Sequence, residues 1–120
     1  MEIVRPSGVS KQPTDTFTGT VFRESVLPKT DDVIVNTVTF TPGARTHWHV
    51  HERGQLLWVT SGKGYVQKRG EEPRPIHAGD TVWIPPDEDH WHGAASDCPM
   101  THVAVSLGKT DWGEPVEEDA

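Results

Sequence analysis

The chain has 120 residues, a hydrophobic fraction of 33% and 11 Lys and Arg against 18 Asp and Glu, giving a formal net charge of −7. That length makes one small domain with a compact core. With no run of Lys and Arg, the charge argues against nucleic acid or an anionic membrane as partner, and Cys98, the single cysteine, excludes an internal disulfide.

Residues 1–15 read as an N-terminal arm within one domain spanning 1–120. The arm lacks the apolar stretch of a secretion signal, and no run is long enough to cross a bilayer as a helix. With the lone cysteine this points to a reducing cytoplasm. No helix is expected. Short β-like runs separated by Gly (11) and Pro (10) suggest an all-β sandwich or barrel.

Val33 to Phe40 is the first strand, ending at Pro42-Gly43; Ile34, Asn36, Val38 and Phe40 share one of its faces. Arg45 to His51 is a second strand and Leu56 to Thr60 a third. The third stops at Ser61-Gly62, and Gly64 to Lys68 is expected to pair back across that turn as a hairpin. Thr81 to Ile84 follows, closed by Pro85-Pro86, then Trp91 to Ala94 and Thr101 to Leu107. On the last strand His102, Ala104 and Ser106 share one face, which predicts a polar cavity on that side. Residues 113–120, with Glu114, Glu117, Glu118 and Asp119, read as a frayed acidic tail.

Seven histidines are many for this length. His49 and His51, two apart on a strand, place both imidazoles on one face about 6–7 Å apart along the chain. That spacing lets both reach one ion at about 2.0–2.2 Å. Gln55 could add a side-chain oxygen, and His90 and His92 form a second same-face pair that a barrel could bring opposite the first. His47 and His77 are expected to bind nothing, and Arg45 and Arg53 to be rim charges. Trp48 and Trp91 alternate away from the histidines, so they are expected outside the cavity, on a face that could pair subunits. Val38, Phe40 and Leu57 are the expected apolar wall, with Asn36 as a polar neighbour.

Gly43, His49, His51, Gln55 and Gly62 resemble the first cupin motif, G-x5-H-x-H-x3-E-x6-G, at every spacing, with Gln55 in place of Glu. Gly79, Pro85 and His90 resemble the second motif, with Asp87 and Ala94 in place of its Gly and Asn. The resemblance covers about Ile34 to Leu107 and implies a jelly-roll β-barrel of two antiparallel sheets. It also implies a divalent metal held by His49, His51, Gln55 and His90.

Segments 39–46, 48–51 with 54–55, 90–95 and 100–102 are similar to the small bacterial cupins that act as manganese-dependent hydroxynitrile lyases. That similarity implies reversible cleavage of a cyanohydrin to an aldehyde or ketone and cyanide. It makes His92 and His102 the catalytic candidates and manganese the first choice of ion, with iron, nickel or zinc as alternatives. Gln in place of Glu leaves the ion more positive, which suits an oxygen anion. Competing readings are a cupin dioxygenase on a diketone-like or aromatic compound, and a non-catalytic ligand-binding cupin. A uronate-opening cupin is disfavoured because the positions expected to face the cavity (Asn36, His102, Ser106) include no Lys or Arg. The expected partners are a small-molecule substrate and a second or further copy of the chain, as a homodimer or homotetramer.

Overall fold

The computed structural model describes residues 1–117. Among them there is no helix, and so none long and apolar enough to cross a membrane. The strands are β1 (Val9–Lys11), β2 (Phe17–Thr18), β3 (Val21–Thr30), β4 (Val33–Phe40), β5 (Arg45–Thr46), β6 (His49–His51), β7 (Gln55–Lys68), β8 (Arg74–His77), β9 (Thr81–Ile84), β10 (His90–Ala94), β11 (Met100–Leu107) and β12 (Thr110–Trp112). Every pairing is antiparallel.

One sheet runs β1-β3-β4-β11-β7, with β9 on the first half of β7. The other is built from the second half of β7 with β8 and β10, and β10 carries β5 and β6. The two sheets curl around a shared interior. Phe17, Val21, Val38, Phe40, Val59, Ile76 and Met100 pack at one end of it, and Leu57, Ile84 and Ala104 form a second apolar cluster. Alternation explains the choice of side chains: along β7, Gln55, Leu57 and Val59 point inward and Trp58 outward.

Several expectations need correction. The hairpin at Ser61-Gly62 does not form. β7 is one strand of 14 residues that passes from one sheet to the other at that point. Gly62 bends it with φ +77°, and Thr60 is an extra residue in the ladder, because Thr101 pairs with Ser61 while His102 pairs with Val59. A Cβ on Gly62 would stand 1.9 Å from the Pro99 carbonyl oxygen. Gly62→Ala is therefore expected to cost about 3 kcal/mol or more, from a positive φ and a backbone collision. Urea unfolding checks this, and a loss under about 1 kcal/mol would contradict it.

The stretch Arg45 to His51 is not one strand either: β5 and β6 flank His47-Trp48, which hydrogen-bond outside the ladder, to Thr16 and Glu114. Within the expected arm, residues 9–11 pair with β3. The tail is not frayed as far as residue 117. The Gly113 N–H donates to the Trp48 carbonyl, Glu114 bonds Arg69, and Val116 packs on Trp48 and Trp91. Glu118 and Asp119 lie outside the described residues. The same packing buries Trp48 and Trp91, with the Arg69 and Arg45 guanidinium groups over their rings. They are outside the cavity but are not available to pair subunits. Exposed aromatic surface lies instead on the outer sheet face, at Trp58 and Trp83 beside Leu56, Val103 and Val105.

Candidate metal centre and cavity

β6 and β10 carry the histidine cluster, and β7 carries Gln55. His49 and His51 share a face of β6, and β6 pairs with β10 so that His49 stands opposite His90. Ligand nitrogens of His49, His51 and His90 all lie within 4.8 Å of one another, and the three side chains are buried.

In each of the three the Nδ1 is already engaged. His49 Nδ1–H donates to the His47 carbonyl at 2.8 Å, and His90 Nδ1–H donates to the Glu88 carbonyl at 2.8 Å. His51 Nδ1 shares a hydrogen bond with Thr110 Oγ1 at 3.0 Å. Holding Nδ1 in this way leaves Nε2 as the free lone pair, the arrangement that orients metal-binding imidazoles. His51 Nε2 is buried and has no partner.

Gln55 opens β7 and donates its amide N–H to Ser106 Oγ at 3.0 Å, which turns Oε1 toward His90 Nε2, 3.1 Å away. With His90 Nδ1 already donating, its Nε2 carries a lone pair, so two acceptors face each other. A cation between them resolves that repulsion. Two donor atoms at right angles around an ion at about 2.2 Å stand about 3.1 Å apart. The residues present therefore fit a divalent cation: three neutral imidazoles and one amide oxygen.

Next to this cluster lies a second histidine pair. His92 on β10 stacks near His90, with ring centroids 5.6 Å apart and planes at 18°. His92 Nδ1 and His102 Nε2 share a hydrogen bond of 2.9 Å. Their other nitrogens, His92 Nε2 and His102 Nδ1, are buried without a partner. Phe40 closes the back of the pair, 6.0 Å from the His92 ring and 5.2 Å from that of His102.

Burial lowers the pKa of all five imidazoles. Desolvation is the leading cause in each, joined at His49 by repulsion from His90 and His51, and at His92 by repulsion from His102. His51 and His102 are brought down to about 4. The five rings are thus neutral at pH 7, as ligands and proton acceptors must be. In the unfolded chain these histidines titrate near the ordinary 6.5. Their contribution to stability is therefore complete above pH 6.5 and lost as pH falls from there toward 4. In the metal-free protein, each such group is expected to remove up to about 1.4 kcal/mol per pH unit across that window. A urea midpoint that stayed flat between pH 7 and pH 5 would contradict this.

The cluster opens on a cavity of about 480 Å³. Asn36, Val38, Ile34 and Ala104 line it. Phe40 and Leu57 do not. Phe40 is fully buried behind His92 and His102, and Leu57 is fully buried against Ile84 and Ala104. Strand alternation assigned their face correctly, but the cavity floor lies above them. His77 is exposed beside Asp80 and takes no part. His47 is buried and contributes its carbonyl to His49.

Sequence reasoning missed β12, which pairs with β6 and sets Trp112 over His49 at 4.5 Å between ring centroids. It also missed the basic residues of the lining. Arg23, Lys29 and Lys109 all border the cavity, which overturns the expectation that no Lys or Arg faces it. The first two come from β3, a strand not anticipated because Arg23, Glu24, Pro28 and Lys29 obscure its alternation.

Comparison with known proteins agrees with this architecture. The chain is 46% identical to an (R)-mandelonitrile lyase from Granulicella tundricola, over 99% of this chain and 97% of that protein. It superposes on a cupin-like protein from Thermotoga maritima with a TM-score of 0.89 and 40% identity, covering 99% and 93% of the two chains. It shares the fold alone with the polyketide cyclase RemF from Streptomyces resistomycificus, at a TM-score of 0.77 and 15% identity over 98% and 86%. The cupin domain model matches residues 36–106. With two sheets curled around three convergent histidines and this match over more than half its length, the chain belongs to the cupin family.

Proposed function

We propose that this cupin is a metal-dependent lyase that reversibly cleaves a cyanohydrin into an aldehyde or ketone and cyanide. The observation that carries the reading is the His92–His102 pair, neutral and with unpartnered ring nitrogens, set against the histidine cluster in the same cavity. The similarity to the Granulicella mandelonitrile lyase supports it.

His49, His51, His90 and Gln55 would hold the ion, manganese first and iron, nickel or zinc as alternatives. When bound, a divalent ion supplies a Lewis acid that makes a hydroxyl more acidic. His92, whose ring lies between the cluster and His102, would accept the hydroxyl proton at its unpartnered Nε2. As the carbonyl forms, the carbon–carbon bond breaks and its electron pair leaves with cyanide. The imidazolium then returns its proton to cyanide, giving hydrogen cyanide. His102 holds His92 through Nδ1 and spreads the transient charge over two rings. Val38, Ile34 and Trp112 provide apolar surface for the organic group.

The test is aldehyde release from mandelonitrile by the manganese-loaded protein. Turnover well above that of chelator-treated protein is expected; equal rates would discard the lyase reading. Metal analysis of the purified chain decides the ion.

The reading includes a homo-oligomer in the cytoplasm. Trp58 and Trp83, each 52% exposed on one outer sheet face, form the patch a second copy would cover. Sedimentation should find a dimer or tetramer, and Trp58→Glu with Trp83→Glu should shift it to monomer. A monomeric parent would contradict this.

A further inference from the structure

Arg23, Lys29 and Lys109 are far apart in sequence yet border a single cavity. Arg23 lies opposite Val38 in the antiparallel β3–β4 register, so the two side chains share the face that lines the cavity. Lys29 sits beyond a register shift in β3, near Ile34. Lys109 follows the turn at Gly108 that leads into β12.

No Asp or Glu is among the residues lining this cavity, in a chain whose acidic residues outnumber basic ones by 18 to 11. Among the described residues, Arg23 and Lys29 form no ion pair; Lys109 has an exposed ion pair with Asp111 at 3.7 Å, and its backbone N–H donates to Glu52 Oε1 at 3.3 Å. Positive charge therefore outweighs negative charge along the lining of the cavity that holds His92 and His102. Charge of one sign around a cleft raises the local concentration of oppositely charged solutes and orients their approach.

We infer that the cavity selects a substrate carrying a carboxylate, held at the mouth by Arg23, Lys29 and Lys109 while its neutral reacting end extends to the His92–His102 pair. This rests on the lyase reading for the reacting end only. The carboxylate requirement belongs to the rim. In that form the substrate is a hydroxynitrile, or the aldehyde made from it, with an acid group at the far end.

The probes are 4-(hydroxymethyl)benzoate and its neutral isostere 4-(hydroxymethyl)benzamide, titrated calorimetrically into the full-length, metal-loaded protein. Three exposed cations should favour the acid by about ten-fold at low salt, since each contributes only modestly at a solvated surface. Raising the salt to about 0.5 M should bring the ratio close to one, because the screening length falls to a few ångströms. In the triple variant Arg23→Gln, Lys29→Gln, Lys109→Gln the ratio should be near one at low salt too. All three side chains are exposed, so the fold should persist. Single variants, each expected to lose about two-fold, give the same reading should the triple variant fail to fold.

Equal binding of acid and amide by the parent protein would overturn the inference. So would an acid preference that survives in the triple variant, which would assign the carboxylate to the ion instead. Mandelonitrile has no carboxylate, so its cleavage is scored separately. Failure there with the acid preference intact would remove the lyase reading and leave the anionic substrate class standing.

Discussion

His90→Ala is expected to weaken binding of a divalent ion by about 100-fold or more and to abolish lyase turnover with it. Four-ligand sites gain on the order of 10 kcal/mol from their ion, so each ligand contributes enough for about two decades. His90 is central to the cluster. It faces His49 across the β6–β10 ladder and Gln55 Oε1 at 3.1 Å. The same substitution removes the confrontation between its Nε2 and the Gln55 oxygen. The metal-free variant should therefore lose less stability than a buried truncation ordinarily costs. Ser106→Ala frees the Gln55 amide and should cost about ten-fold in ion affinity, the usual scale for a group that orients a ligand. Competition with a chelator, followed by elemental analysis of dialysed protein, measures both. Full metal content in His90→Ala would remove the centre as described.

The second large effect is expected at the histidine pair. His92→Ala and His102→Ala should each lower kcat for mandelonitrile cleavage by about 10² to 10⁴, the range for losing a positioned proton acceptor. Metal content should remain at the parent value. The two rings act through one hydrogen bond of 2.9 Å, so the double variant should be little worse than the more damaged single one. His102→Gln, which keeps a group able to bond His92 Nδ1, should retain more activity than His102→Ala. Additive losses in the double variant would mean that the two rings act independently.

The grouping of the three histidines was legible because its signal is local. Two histidines spaced by one residue on a strand must share a face, and Gln55 and His90 sat at the motif spacings that bring ligands together. The sheets were less legible, and the reasons are physical. A glycine of positive φ serves a hairpin and a strand that changes sheets equally well, so Ser61-Gly62 read as a turn although one bent strand continues through it. Alternation gives the face of a side chain but not its depth, which is why Phe40 and Leu57 were placed at the cavity wall and lie beneath it. β3 is polar and folds back on β4 as a hairpin across Asp31-Asp32, while β12 is short and is placed by long-range pairing with β6. Because β3 brings Arg23 and Lys29 to the mouth, the charge at the opening could not be read from the sequence either.

β7 joins both sheets, and all four of its ladder partners, β8, β9, β10 and β11, follow it in the chain. While the protein is being made, the 14 residues of β7 leave the ribosome with both edges bare. The barrel cannot close until residues 100–107 insert between β4 and β7. A nascent chain stopped short of that point would display two unpaired strand edges together with Leu57 and Val59, which invites aggregation. Closure of the barrel thus waits for β11, and until that strand is made the edges of β7 stay open.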